Sequence, residues 1–149
     1  MARKQSSKTI KMTNGDIEAR MGNPAFARAV KLNFPVKTSY WLGRCLTKME
    51  QLFRPFGQKI QDIVEELAEK ELNDKTGDMQ VKRRPDGQPA WGKHQKEAEK
   101  QFKELREIEV DLGFHPVKLD LEACDKKGLN ISPEDFALLA PLFEEIDEG

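Results

Sequence analysis

From Leu42 onward the apolar residues recur in steps of four and three: Leu42, Leu46, Met49, Phe53, Phe56, Ile60, Ile63 and Leu67. Such an alternation places all eight on one stripe of an α-helix. The pattern predicts a helix from about Thr38 to Leu72, roughly 50 Å long at 1.5 Å per residue. Pro55 falls inside the run, where it removes a backbone donor and crowds the preceding turn. Because the heptad stays in phase beyond it, a kink is predicted rather than an end, with two helices meeting at Arg54-Pro55 as the other reading. A stripe of this length needs a neighbouring surface.

The remaining elements follow from shorter signals. Asn23-Pro24 is an N-cap followed by proline at the first helical position. The short helix it opens carries Phe26, Ala29, Val30 and Asn33 on one side and closes before Pro35. Periodicity vanishes between Asn73 and His94, where Asn73 to Gly77 is a stop signal and Arg84 to Pro89 is turn chemistry. Met79 and Val81 could pair there with Ala90 and Trp91 in a small hairpin, a mobile loop being the equal alternative. A second helix, His94 to about Glu107, presents Ala98, Phe102 and Leu105 and is the natural antiparallel partner of the first. The period then changes to two: Ile108, Val110 and Leu112, and after a turn Val117, Leu119 and Leu121, predict short strands. Ser132-Pro133-Glu134-Asp135 opens a last helix with Phe136, Leu139, Phe143 and Ile146 inward and Pro141 bending it. The fold class is mainly α (α+β): a long kinked helix in an antiparallel helical hairpin, a small β-hairpin and a short C-terminal helix.

Charge changes the picture at the ends. The 149 residues carry a net charge of -1. Residues 1–54 nevertheless hold eleven Lys/Arg against three Asp/Glu, and the remainder fourteen against twenty-three. Residues 1–22, polar and aperiodic, are expected to form a basic arm that is disordered unless a neighbour holds it, and residues 23–149 a single domain. Arg3, Lys4, Lys8 and Lys11 could contact nucleic acid, but four cations give only a modest, salt-sensitive attraction, so a tail or self-association arm is favoured. No apolar run suits a membrane span or an export signal. Cys45 and Cys124 are expected to be reduced thiols in a cytoplasmic protein.

Candidate chemistry is sparse. His94, His115, Cys45 and Cys124 are far apart and form no metal-ligand spacing, so no metal is expected. No glycine cluster makes a phosphate loop and no nucleophile elbow is present, so neither a cofactor nor an enzyme is expected. Cys45, beside the apolar stripe, fits a small buried thiol. Tyr40 and Trp41, next to Lys37 and Arg44, are either the end of the core, which is favoured, or a stacking platform for a base. Trp91 is either a lid over the stripe, again favoured, or an exposed anchor for a partner.

Phe34-Pro35-Val36-Lys37-Thr38-Ser39-Tyr40-Trp41-Leu42-Gly43-Arg44, the amphipathic helix after it, the strand Ile108-Glu109-Val110-Asp111-Leu112 and the closing Ile131-Ser132-Pro133-Glu134-Asp135-Phe136-Ala137-Leu138-Leu139-Ala140-Pro141-Leu142 together form a pattern. Over roughly residues 32–146 it resembles small proteins of unknown function from tailed bacteriophages and prophages. Pro55 and the basic arm depart from that pattern. The resemblance implies a phage origin and carries over no functional residue. The expected function is a non-enzymatic binding protein that engages a host macromolecule in the bacterial cytoplasm, in the manner of host-takeover or anti-defence proteins. The alternative is a virion or assembly component. The second helix is about half as long as the stripe, so part of the stripe is expected to stay bare and to be covered by self-association, a dimer being favoured.

Overall fold

The computed structural model describes residues 8–144, so Arg3, Lys4 and Ile146 lie outside the described residues. The elements run β1 (Lys11–Thr13), α1 (Asn14–Met21), α2 (Pro24–Ala29), α3 (Val36–Leu67), β2 (Lys70–Leu72), β3 (Met79–Val81), α4 (Gln95–Glu107), β4 (Glu109–Asp111), α5 (Leu121–Lys126) and α6 (Pro133–Leu139). The mainly α, α+β class is as predicted. The described chain falls into two compact units. The first contains the chain up to Phe53 and again from Glu109, and the second is Arg54–Ile108.

In the first unit the segment expected to be a disordered arm is built into the core from Ile10 on. β1 pairs antiparallel with β4, Met12 opposite Val110, and Leu112 donates its N–H to Ile10 O at 2.9 Å. Thr13 then starts α1 with a capping box: its hydroxyl accepts from the Asp16 N–H and the Asp16 carboxylate accepts from the Thr13 N–H. Two donors that a helix start leaves orphaned are thereby satisfied. Alternating strand residues and one face of α1 bury Ile10, Met12 and Ile17 among Phe26, Leu42, Met49 and Leu139. Asn23 caps α2, its Oδ1 accepting from the Ala25 N–H at 2.9 Å, and Ser132 caps α6 the same way through Asp135. A 3-10 turn over Ala140–Leu142 follows, at Pro141.

Three expectations for this unit are corrected. Residues 117–121 do not pair with 108–112: Val117 forms an isolated parallel bridge with Phe143, and α5, capped by Asp120 through the Ala123 N–H, begins at Leu121. The alternation was that of an irregular segment pinned at Leu119, not of a strand. Phe136 is exposed, while Leu139, Leu142 and Phe143 of the same segment are buried. Asn33 is exposed, and Phe34 takes the inward position.

Helix α3 ends at Leu67, five residues before the predicted limit, because Lys70–Leu72 are taken into β2. Pro55 lies inside the helix and does not end it. In the second unit Ile63 and Leu67 of α3 are buried with Ala98 of α4, and Trp91, Phe102 and Leu105 pack against them. The antiparallel pair β2–β3 sets Leu72 opposite Met79. Met79 and Val81 therefore pair with 70–72 rather than with Ala90 and Trp91. The Arg84–Pro89 turn does close as read, with an Arg83–Pro89 bridge and the Ala90 N–H donating to Lys82 O.

The stripe is the clearest outcome. Leu42, Met49, Phe56, Ile63 and Leu67 are buried, and Leu46, Phe53 and Ile60 are half-buried. The part up to Phe53 belongs to the first core and Ile63 and Leu67 to the second. No bare stretch remains, contrary to expectation: a helix too long for one partner helix is shared between two cores.

Candidate functional site

With one side of α3 buried, the chemistry available to a partner lies on its other side. In the first unit, Lys37, Tyr40, Arg44 and Lys48 recur at steps of three and four, so they share one face. Tyr40 is 70% exposed, and Val36, one turn before it, is 78% exposed. Adjacent helical residues point about 100° apart, so Tyr40 and Trp41 cannot both face inward. Trp41 packs on the core, its ring 5.6 Å from that of Phe143 and tilted by 45°. Of the two readings weighed for this pair, Trp41 takes the core and Tyr40 the surface.

A groove of about 470 Å³ opens along this face, lined by Ser39, Tyr40, Gly43, Arg44, Thr47, Lys48, Gln51 and Phe114. Phe114 comes from the turn after β4. Gly113, at φ +77°, takes the left-handed conformation that this turn needs, and Asp111 Oδ1 accepts the Gly113 N–H at 2.8 Å. The Phe114 carbonyl in turn accepts the Ile10 N–H at 2.7 Å, which anchors the turn to the chain before β1. Over the ring sits the Arg44 guanidinium, 5.1 Å from the centroid, a cation–π contact. Thr47 donates its hydroxyl to Gly43 O at 3.0 Å, back along the helix. Among the described residues no acidic side chain lines the groove.

On the buried side of α3, Cys45 is fully enclosed in the first core. Burial pushes its thiol up to about 11, the nearby Arg44 charge opposing that only in part. A thiol so protonated is a poor nucleophile, which matches the inert small residue expected. Near the turn, Asp111 is held below the usual carboxylate range, first by the Thr9 hydroxyl donating to it and then by the Gly113 N–H.

The other expected anchors and cations are elsewhere. Trp91 covers the second core, edge-on to Phe102 at 5.5 Å and 71°, in the lid role favoured for it. Lys11 lies in β1 with its side chain exposed, and Lys8 is exposed ahead of that strand. Sequence reasoning missed Lys48, Gln51 and above all Phe114. The spacing of Lys37, Tyr40, Arg44 and Lys48 was a usable signal for the helical part; nothing local to residue 114 pointed to α3.

Among the described residues no group of three or more His, Cys, Asp or Glu could hold a metal ion, and no helix is long and apolar enough to cross a membrane. Comparison with known proteins finds no matching family model, no matching curated protein and no matching solved structure.

Proposed function

We propose that the chain is a non-enzymatic, phage-encoded binding protein that engages a host macromolecule through the outward face of α3. One observation carries this reading: the groove at Tyr40, Arg44 and Lys48 combines an exposed aromatic ring with two cations and, among the described residues, no acid. Such a ring costs hydration free energy until something covers it, and unpaired cations favour an anionic partner. The same helix uses its opposite side for the core, so the face is presented on a rigid element rather than on a loop. The phage resemblance over residues 32–146 supports the phage-encoded part of the proposal. A virion or assembly component, in which the basic arm of one subunit meets the acidic C-terminal end of another, is the alternative by that resemblance.

The test is retention of a component from bacterial lysate on the immobilised full chain, compared with a Tyr40→Ala/Arg44→Gln/Lys48→Gln variant. The expected result is a component that reconstitutes with the purified chain and is lost with the variant. Equal retention by both chains, or by neither, would refute the assignment of the face.

A further inference from the structure

We infer that the partner of this face is single-stranded nucleic acid, with an unpaired base stacked on Tyr40 and neighbouring phosphates on Arg44 and Lys48; the inference rests on the binding role proposed above. Three features of the groove select this chemistry. The first is the ring. Tyr40, at 70% exposure, keeps its surface open, and base–aromatic stacking is the sequence-tolerant contact of single-strand binders. A duplex hides its base faces in its own stack and cannot use it.

The second is the row of charge. Tyr40, Arg44 and Lys48 follow one another by four residues, so each lies about 6 Å further along the helix axis. A strand laid along α3 would meet a ring, then a guanidinium, then an ammonium. Between Val36 and Phe53 the helix carries Lys37, Arg44 and Lys48, with Glu50 as its one acid, and Glu50 does not line the groove. Among the described residues neither Arg44 nor Lys48 has a salt-bridge partner.

The third is the seating of Arg44. Its contact is with the face of Phe114, which positions the guanidinium without pairing it to a protein carboxylate. Its donors therefore remain for a phosphate, the anion whose geometry a guanidinium matches in two hydrogen bonds. An acidic peptide would satisfy the cations equally well, but it supplies no flat ring for Tyr40. The open ring is what tips the balance toward a nucleic acid.

The test uses the full chain and a fluorescein-labelled twelve-nucleotide oligo(dT), read by anisotropy. Binding is expected. Tyr40→Ala should weaken it by roughly ten-fold or more, while Tyr40→Phe keeps it, because stacking needs the ring and not the hydroxyl. Arg44→Gln and Lys48→Gln should each lower the slope of log affinity against log salt by roughly 0.7. Circular dichroism of each variant, expected unchanged because Tyr40 and Arg44 are exposed and Lys48 is only half-buried, separates lost contacts from lost fold. No binding, or binding indifferent to Tyr40, overturns the inference. Displacement by polyglutamate as readily as by unlabelled oligo(dT) also overturns it, and points to an acidic protein surface instead. In either case the lysate comparison decides separately whether the face binds anything: retention that survives nuclease treatment and is lost in the triple variant would keep the binding role and discard the nucleic acid.

Discussion

Ile17 offers the sharpest test of the fold, because the sequence around it has the composition of a loose tail while its side chain is only 1% exposed. Ile17→Ala removes three carbons from the first core, a transfer term of about 2.4 kcal/mol at about 0.8 kcal/mol per buried carbon. The cavity left behind adds to this, so a loss of about 2.5–4 kcal/mol is expected. Leu72→Ala serves as the control. Leu72 is 58% exposed, so it forfeits under half of the same transfer term, about 1 kcal/mol. Urea unfolding is the assay, followed in single-tryptophan chains. Trp41 reports the first core through Phe143 and Trp91 the second through Phe102. Ile17→Ala should move the Trp41 midpoint without changing the slope with urea, since a shift at constant slope is a change in stability alone. A shift under about 0.5 kcal/mol, the ordinary range for surface substitutions, would mean that residues 8–22 do not belong to the core.

Three further outcomes can be checked. Pro55→Ala should stabilise the chain by about 1–3 kcal/mol, because proline in a helix interior costs about 3 kcal/mol relative to alanine; an unchanged or lowered midpoint in thermal unfolding would contradict a helix running unbroken through residue 55. Cys45, raised from 9.0 to about 11 by burial, should react with iodoacetamide at pH 8 about a hundred-fold more slowly than in urea, since thiolate sets the rate. The linked stability is present below about pH 9 and declines toward 11, where the unfolded chain loses a proton that the folded one keeps; equal labelling rates would refute the burial. Gly92→Ala should destabilise the second unit by about 1 kcal/mol, because φ is +55° and a Cβ would lie 2.9 Å from Glu69 Oε1; an unmoved Trp91 transition would exclude the strained turn.

What the sequence made legible was local. The heptad from Leu42 to Leu67, the Asn23-Pro24 and Ser132-Pro133 starts and the turn at Arg84–Pro89 each follow from neighbours within a few residues, and each is present. The capping box Thr13-x-x-Asp16 was equally readable, yet two turns of helix with a weak apolar pattern carry too little periodicity to draw attention to it. Pairing of β1 with β4 joins Lys11 to Asp111, and three-residue strands so far apart leave no mark in either segment. At Val117–Leu121 the alternation was real but short, and Asp120 as a cap outweighed it. For the candidate face, Tyr40 needed only the angular offset from Trp41 to be placed outward. Phe114 needed the β1–β4 pairing, so its place in the groove was beyond any local pattern.

Pro55 stands one residue past the point where the first core gives way to the second. The ladder of α3 lacks one rung there, because proline offers no N–H to the carbonyl of Gln51. Each half of the helix is then secured mainly by its own set of apolar neighbours, and fraying that starts on one side meets a ready stopping place at the seam. Hydrogen exchange would register this as two protection levels within one uninterrupted rod. Such a division lets substitutions accumulate in one core, or on the groove beside it, without the other having to adjust.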